Sequence, residues 1–260
     1  MSERPFSQVG TPLIVAHRGA SAEEAENTLE AFDLAVAAGA RAVEFDVRIT
    51  ADGHAVVMHD ADVDRTTNGS GLVRSLTLAE VRSLRIETAA GGLARVPTLA
   101  EALASLSGRA AVDIEIKNIP GEADFDPERE LAVEAVHREL DATGFVGEVI
   151  VSSFNPVSIA ASRFARADVP TGLLTAPGVD ATAALRFAAE QGHPWVLPFV
   201  ARVLEAGPGF PDAVHEAGLS LGTWITEDPA EAVGLARSGV DAIATNDPRR
   251  IVVAIEASRE

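Results

Sequence analysis

Short apolar segments alternate with helical segments along most of the chain, and this alternation constrains the fold more than any other feature. Eight apolar segments have the length of strands and are bounded by glycine, proline or polar residues: 13–16, 42–48, 111–117, 149–154, 171–174, 195–199, 219–224 and 241–245. A helical segment follows each of them. Since alternating strands and helices form parallel sheets, and eight such units can close into a ring, the sequence predicts an α/β fold of the TIM (β/α)8 barrel type.

The alternative is an open doubly wound sheet, in which a glycine-rich loop follows the first strand. His17-Arg18-Gly19-Ala20-Ser21 occupies that position and lacks the spacing of such a loop. We therefore favour the barrel, as a single domain over residues 1–260. Residues 60–96 are rich in Asp, Thr, Asn and Gly, with one short helix signal at Thr77 and Glu80. Because this segment is too long for a plain connection, we expect a small insertion or lid after a hairpin on strand two.

The second strand carries two carboxylates on one face. Glu44 and Asp46 alternate with apolar residues, so both side chains leave the strand on the same side. Like charges this close repel each other and require a positive partner, either a metal ion or a cationic group. Asp52-Gly53 then predicts a hairpin turn, and counting back across it places His59 beside the two carboxylates.

Composition excludes several functional classes. The chain has no cysteine, so any metal must bind to oxygen or imidazole ligands. A formal net charge of −18 argues against nucleic acid as a partner. No apolar run approaches the length of a membrane span, and residues 1–10 lack the pattern of a secretory signal. We therefore expect no stable membrane insertion and a cytoplasmic location, and the oligomeric state stays open.

In a barrel the reactive groups gather at the carboxyl ends of the strands. On the third strand, Asp113, Glu115 and Lys117 share one face, and Lys117 is the only lysine in the chain. A lysine is rarely buried without a partner, so its place inside a strand indicates neighbouring carboxylates. Glu44, Asp46 and Glu115 together would form a hard-oxygen site that suits one divalent metal ion, Mg²⁺ or Ca²⁺.

Two histidines are expected beside this metal. His17 ends the first strand and His59 follows the hairpin, and imidazole can exchange protons in both directions near neutral pH. Arg18 and Lys117 add fixed positive charge, which suits an anionic substrate whose charge grows in the transition state, as in phosphoryl transfer. The remaining histidines have no comparable context, and we predict surface or helix-capping positions for His54, His137, His193 and His215.

These residues also resemble a known family. The motifs that carry the resemblance lie between residue 13 and about residue 250: His17-Arg18-Gly19, Glu26-Asn27-Thr28, Glu44-Phe45-Asp46-Val47, Asp52-Gly53, His59-Asp60, Arg65-Thr66-Thr67-Asn68-Gly69, Val96-Pro97-Thr98-Leu99, Ile114-Glu115-Ile116-Lys117, Ser152-Ser153-Phe154 and Thr245-Asn246-Asp247-Pro248. They are similar to motifs of the glycerophosphodiester phosphodiesterases. The resemblance implies a TIM barrel that hydrolyses a small-molecule glycerophosphodiester to sn-glycerol 3-phosphate and an alcohol.

The resemblance also implies a role for each candidate residue. These roles are metal ligand (Glu44, Asp46, Glu115), general acid or base (His17, His59), phosphate ligand (Arg18, Lys117), wall of the glycerol pocket (Trp224) and support from behind the site (Glu26, Asn27). Trp224 could instead be plain barrel packing, and Asn27 could be only a helix cap. Attack on phosphorus by the glycerol 2-hydroxyl, through a cyclic phosphate, and direct attack by water are both compatible with the sequence.

Two other functions compete with this one. The first keeps the chemistry and changes the substrate, as a lysophospholipase D or sphingomyelinase D type enzyme on the same barrel. It requires an exposed apolar rim for an acyl chain, and residues 60–96 contain few large apolar side chains to supply one. The second is a non-catalytic barrel that binds a phosphorylated polyol. It would be favoured by missing catalytic residues, and the sequence contains all of those expected.

Overall fold

Eight parallel strands form the centre of the molecule in a computed structural model that describes residues 12–259. The strands of the described chain are β1 (Leu13–His17), β2 (Ala42–Ile49), β3 (Ala55–Val57), β4 (Ile86–Glu87), β5 (Leu93–Ala94), β6 (Ala111–Ile116), β7 (Val149–Ser153), β8 (Thr171–Leu174), β9 (Trp195–Leu197), β10 (Ser220–Thr223) and β11 (Ala242–Thr245). Neighbouring barrel strands follow the order β1, β11, β10, β9, β8, β7, β6, β2, and β2 pairs with β1 to close the ring. The predicted TIM barrel is therefore confirmed.

Helices surround the barrel and complete the strand-helix units. They are α1 (Leu29–Ala37), α2 (Leu78–Ser83), α3 (Leu99–Leu106), α4 (Leu131–Thr143), α5 (Pro156–Ala165), α6 (Ala181–Gln191), α7 (Val200–Ala206), α8 (Phe210–Glu216), α9 (Pro229–Ser238) and α10 (Pro248–Ala257). Buried aliphatic and aromatic side chains fill the layer between helices and strands, as where Phe32 of α1 meets Phe45 of β2 at a ring-centroid distance of 5.5 Å. No helix within residues 12–259 is long and apolar enough to cross a bilayer. The prediction drawn from residues 1–10 lies outside the described residues.

The hairpin on the second strand forms as predicted. β3 runs antiparallel to β2, with Val57 opposite Val47, and the amide of Met58 donates to the carbonyl of Asp46 at 3.0 Å. This pairing leads the chain from the carboxyl end of β2 back to the level of Asp46, so His59 emerges beside the inward face of that strand. The register of β3 is thus what places this histidine at the mouth of the barrel.

Residues 60–96 form a small unit with its own apolar centre. Helix α2 begins with a capping box between Thr77 and Glu80, as the sequence predicts, and β4 and β5 form a short antiparallel pair. Its buried side chains form one apolar cluster with Val56 of β3 and with Met58, and they are Val63, Val73, Val81, Ile86, Ala94 and Val96. A role of this unit as a lid stays a prediction.

Three local predictions are wrong. Strand β9 ends at Leu197, and Val200 begins helix α7, because Pro198 interrupts an apolar run that we read as one strand. The N-cap of α1 is Thr28, whose side chain accepts from the amide of Ala31, so Asn27 is not the cap. His137 and His193 are buried, not at the surface.

These two histidines are buried because each has a hydroxyl partner in the shell around the barrel. The ring of His137 lies 3.0 Å from Ser162 Oγ, and the ring of His193 lies 2.8 Å from Thr171 Oγ1. Only 1% of His193 is exposed. An imidazole with one ring nitrogen hydrogen-bonded can replace an apolar side chain in such a layer, and a sequence pattern does not show which partner it will meet. The other nitrogens, His137 Nδ1 and His193 Nε2, have no hydrogen-bond partner among the described residues.

The buried His193 predicts a loss of stability in acid. Burial lowers its pKa, with a further contribution from Arg163. The unfolded chain keeps the ordinary value of about 6.5 and so binds more protons than the folded chain as the pH falls below it. We therefore expect the free energy of unfolding to decrease below about pH 6.5, and to decrease less in a His193→Asn variant. Urea unfolding at about pH 7.5 and about pH 5 tests this, and an equal pH dependence in both proteins would contradict it.

Candidate active site

The register of three neighbouring strands brings the predicted site residues together at the carboxyl end of the barrel. His17 on β1 pairs with Glu44 on β2, and Asp46 on β2 pairs with Glu115 on β6. Since side chains alternate between the two faces of a strand, Glu44, Asp46 and Glu115 all point into the barrel. These four residues therefore lie at adjacent positions of one wall, and Lys117 follows directly after the end of β6.

The three carboxylates form one buried cluster. Their nearest oxygen atoms lie within 4.8 Å of one another. Lys117 Nζ lies 2.5 Å from Glu115 Oε1 and 3.0 Å from Asp46 Oδ1, while Arg18 Nε lies 3.3 Å from Asp46 Oδ2. The positive partner that the alternating carboxylates require is thus supplied in part by the only lysine of the chain. This ammonium stays charged, because Asp46 and Glu115 together raise the pKa of Lys117 against the opposing effect of its burial.

Two cationic side chains do not neutralise the whole cluster. Burial raises the pKa of Glu44 well above its ordinary value, and the neighbouring Asp46 and Glu115 raise it further. Burial also raises the pKa of Glu115 to about 7, although Lys117 opposes this effect. Asp46 differs, since Lys117 and Arg18 hold its pKa well below the ordinary value despite its burial. The site therefore contains more carboxylate than its own cations stabilise, which favours binding of a further cation.

The donor set fits a divalent metal ion. Glu44 Oε1 is buried and has no hydrogen-bond partner among residues 12–259, whereas Glu44 Oε2 accepts from the amide of Arg18 at 2.9 Å. An unpaired buried carboxylate oxygen is costly unless a cation or donor reaches it. Three carboxylates without sulfur ligands are typical of Mg²⁺ or Ca²⁺ sites. Glu44, Asp46 and Glu115 could thus hold one such ion.

The ring of His17 is fixed from the last strand of the barrel. His17 Nδ1 lies 2.7 Å from Asn246 Oδ1, and His17 Nε2 lies 3.9 Å from Glu44 Oε2. Because an amide oxygen only accepts, His17 Nδ1 is assigned the proton and Nε2 keeps its lone pair. Burial, with the nearby Arg18, lowers the pKa of His17 to about 4, so the imidazole is neutral near pH 7. Asn246 is itself held in place by its backbone N–H, which donates to Glu227 Oε1 at 2.9 Å.

His59 is fixed in a similar way from its own side of the mouth. His59 Nδ1 lies 2.6 Å from Asp60 Oδ1, and the other ring nitrogen, Nε2, is not engaged by this contact. Arg65 donates to Asp60 Oδ2 and to both carboxylate oxygens of Glu26, and Glu26 also accepts from Arg18 at 3.1 Å. The bond from Arg65 is the largest of the effects that hold the pKa of Asp60 at about 2. A chain of ion pairs therefore connects the two sides of the site.

The loop after β1 adopts a constrained backbone to present Arg18. Arg18 and Asn27 have φ values of 57° and 58°, in the left-handed region that non-glycine residues rarely occupy. At Gly19 an added Cβ would lie 2.7 Å from the backbone of Ala31, so this position requires glycine. The side chain of Asn27 donates to Asp46 Oδ2 at 2.7 Å. Asn27 thus supports the carboxylate cluster directly, a contact that its prediction as a helix cap does not include.

Trp224 lies on the opposite wall of the same cavity. Its ring packs edge-on against Phe154 and Phe199, at centroid distances of 5.2 and 5.1 Å. Trp224 Nε1 is buried and has no hydrogen-bond partner among the described residues. The residue therefore combines barrel packing with one wall of the cavity, and its contact with glycerol stays a prediction.

All the predicted site residues lie around one cavity or behind its wall. The cavity is lined by His17, Arg18, Glu44, His59, Glu115, Lys117 and Trp224, with Asp46 in the wall. Asn246 and Asp60 also contact the histidines but were not predicted as site residues. Both stand in motifs quoted above, and the position of Asp60 directly after His59 was a usable signal. The contact between Asn246 and His17 spans 229 positions and has no local signal.

The sequence matches the model of the Glycerophosphoryl diester phosphodiesterase family over residues 17–250. The chain belongs to this family. It is therefore an enzyme, a phosphodiesterase of the hydrolase class, and the site described above lies where a TIM barrel places its active site. The phosphodiesterase family thus accounts for the resemblance carried by the sequence motifs.

Individual members of the family are similar over nearly the whole chain. A glycerophosphodiester phosphodiesterase of Caldanaerobacter subterraneus subsp. tengcongensis is 34% identical over 248 residues, covering 92% of this chain and 96% of the relative. Among solved structures, a phosphodiesterase of Oleispira antarctica in complex with the product sn-glycerol-3-phosphate has a TM-score of 0.81 at 26% identity, covering 95% of this chain and 97% of that one. A glycerophosphodiester phosphodiesterase of Agrobacterium tumefaciens has a TM-score of 0.78 at 29% identity, covering 93% and 99%.

Proposed function

We propose that this enzyme hydrolyses glycerophosphodiesters to sn-glycerol 3-phosphate and an alcohol in a metal-dependent reaction with histidine acid-base catalysis. The observation that carries the proposal is the convergence of two imidazoles, three carboxylates and two fixed cations on one cavity at the carboxyl end of the barrel. The Oleispira relative was solved with sn-glycerol-3-phosphate as its product, and this chain resembles it over 95% of its length.

The carboxylate cluster is the proposed metal site. Glu44, Asp46 and Glu115 would hold one divalent cation, Mg²⁺ or Ca²⁺, and the buried Glu44 Oε1 would gain the partner it lacks. When bound, such an ion supplies Lewis acidity that stabilises negative charge on phosphate oxygens. Asn27 and Glu26 support the cluster from behind, Asn27 by its bond to Asp46 and Glu26 by its ion pair with Arg18.

The two histidines are the proposed acid and base. One accepts the proton of the attacking hydroxyl, from the glycerol 2-hydroxyl or from water, and the other donates a proton to the leaving alcohol oxygen. In both rings Nδ1 is engaged, by Asn246 for His17 and by Asp60 for His59, so Nε2 exchanges the proton. His17 is neutral near pH 7, which is the state that a general base requires.

Arg18 and Lys117 are the proposed phosphate ligands. Both line the cavity, and both are now paired with carboxylates of the cluster. A bound cation would neutralise part of the charge on those carboxylates, and the two side chains would then be available to the anionic phosphate. Trp224, with its edge-on neighbours Phe154 and Phe199, would form the wall that faces the glycerol.

No observation favours the lysophospholipase D or sphingomyelinase D alternative. An acyl chain requires an apolar rim, and among the described residues 60–96 Leu93 alone is an exposed large hydrophobic side chain. The acid-base and cation set suits a small polar diester. Membership in the phosphodiesterase family likewise favours turnover over a non-catalytic binding role.

The proposal is tested by assaying the purified enzyme against a panel of glycerophosphodiesters and lysophospholipids with Mg²⁺ or Ca²⁺. We expect release of sn-glycerol 3-phosphate from glycerophosphocholine or a related diester, loss of turnover in EDTA and recovery when metal is added back. Faster turnover of lysophospholipids would support the alternative substrate class. Binding without turnover across the whole metal series would contradict the proposed reaction.

Asn246 provides a further prediction. An Asn246→Ala variant loses the acceptor that orients His17, and the ring can then leave its productive position. We expect kcat to fall about 10- to 100-fold, as is common when a catalytic group is misplaced by about 1 Å, with little change in metal affinity. Steady-state kinetics together with calorimetric metal titration measures both quantities. Unchanged kcat would show that His17 does not depend on this bond.

A further inference from the structure

Arg48 is the most completely buried charged side chain next to the site, and the proposed reaction does not use it. It lies on β2 two positions beyond Asp46, on the same face as Glu44 and Asp46, and 1% of its side chain is exposed. Taking a guanidinium out of water is costly unless every donor finds a partner. The contacts of Arg48 therefore show what this buried charge is used for.

All five N–H donors of Arg48 are engaged. Nε and one terminal nitrogen donate to the main-chain carbonyl of His59, at 2.7 and 2.5 Å, and the other terminal nitrogen lies 3.3 Å from the carbonyl of Lys117. Each terminal nitrogen has a second N–H. One of these donates to Glu122 Oε2 at 2.7 Å, and the other to both oxygens of Asp124 at 2.7 Å. The planar fork of arginine can make such a set of bonds, whereas the single ammonium of lysine cannot.

The carbonyl partners belong to two residues on either side of β2. His59 follows the hairpin strand β3, and Lys117 directly follows β6, so Arg48 joins the main chain of both across the end of β2. Glu122 and Asp124 lie in the connection from β6 to α4, where the side chain of Asn118 also bonds to the backbone of Asp126. The two carboxylates thus neutralise Arg48 and fix this loop to the same point.

We propose that Arg48 is a positioning residue, which holds His59 and Lys117 at a fixed separation on either side of β2, at the mouth of the cavity. This inference rests on the proposed roles of His59 in proton transfer and Lys117 in phosphate binding. Arg48 acts through the backbone of these residues and does not touch the substrate. An error of about 1 Å in the position of a catalytic group can lower the rate about 100-fold. Holding this separation constant can therefore outweigh the cost of burying a charge.

The test compares Arg48→Lys with a matched control, Arg82→Lys. Arg82 also donates to a main-chain carbonyl, that of Val96, and to both oxygens of a carboxylate, Glu101, but it lies on α2 away from the cavity. We expect Arg48→Lys to lower kcat about 10- to 100-fold while KM changes much less. Arg82→Lys should keep the kcat of the wild type.

Histidine ring resonances give a readout that a general loss of stability would not move. The His59 signals, assigned with a His59→Asn variant, should shift in Arg48→Lys, whereas those of the buried His137 and His193 should stay in place. Asp124→Asn removes the negative charge and one of the two acceptor oxygens of a single Arg48 partner. It should therefore shift the same signals to a smaller extent even if Arg48→Lys folds poorly. An unmoved His59 ring in both variants would overturn the proposal.

The same data separate this inference from the proposed function on which it rests. If His59→Asn keeps full turnover, the role assigned to His59 is wrong, while a shifted His59 ring in Arg48→Lys would still establish that Arg48 positions it. If His59→Asn lowers turnover but Arg48→Lys changes neither kcat nor the ring signals, the positioning role is wrong and the proposed reaction stands.

Discussion

Turnover is expected to fall at least about 1,000-fold when Glu44 is replaced by glutamine, because the neutral amide removes the negative charge of one of the three carboxylates of the proposed metal site. A metal ion that stabilises phosphoryl charge contributes several kcal/mol to catalysis, which corresponds to a factor of this size. Asp46→Asn and Glu115→Gln should behave similarly, and all three variants should bind Mg²⁺ or Ca²⁺ more weakly in calorimetric titrations. Asp33→Asn, at a surface ion pair with Arg109, is the matched control and should keep full turnover.

The folded state should respond to Glu44→Gln in the opposite direction. Burial and the neighbouring carboxylates raise the pKa of Glu44, which means that its ionised form is unfavourable in the metal-free protein. A neutral amide relieves that repulsion, so we expect the variant to unfold in EDTA at the same temperature as the wild type or a higher one. Unchanged turnover in Glu44→Gln would show that this residue is not part of the metal site. Lost turnover with a much lower unfolding temperature would show a structural role instead.

Replacement of His17 or His59 by asparagine is expected to lower kcat about 100- to 10,000-fold, the usual contribution of a general acid or base. Asparagine keeps a polar side chain of related size but cannot exchange a proton near neutral pH. The carboxylate cluster does not change, so metal affinity should stay close to that of the wild type. His54→Asn, in the exposed loop before β3, is the control.

The kinetic pattern distinguishes acid-base catalysis from simple binding. A fall in kcat with little change in KM is the expected result for each histidine variant. A rise in KM at constant kcat would show that the imidazole contributes to substrate binding only. If His17→Asn and His59→Asn both keep the turnover of His54→Asn, the assignment of acid and base is wrong.

The barrel and the carboxylate cluster could be predicted because each depends on local patterns. Apolar segments of strand length alternate with helix signals, and few architectures accept eight such units. Inside a strand the two-residue period fixes which side chains share a face, so Glu44 and Asp46 had to point the same way. Adjacent parallel strands then brought Glu115 to Asp46 and His17 to Glu44.

The contacts that could not be predicted from the sequence are those between residues far apart in the chain. Asn246 meets His17, and Arg48 meets Glu122 and Asp124, only because barrel closure and loop packing bring distant segments together. A long-range contact also explains why Thr28, and not Asn27, caps α1, because the Asn27 side chain donates to Asp46 instead. A local pattern ranks both residues as good caps, and the tertiary contact decides between them.

One cation is expected to bind among the carboxylates of Glu44, Asp46 and Glu115, between the imidazoles of His17 and His59. The most direct measurement is the anomalous scattering of a crystal soaked with Mn²⁺, an oxygen-seeking ion that can replace Mg²⁺. We predict one strong peak at roughly 2.0 to 2.6 Å from an oxygen of each of the three carboxylates. A peak at any other place, or none in crystals of protein that turns over substrate with Mn²⁺, would contradict it.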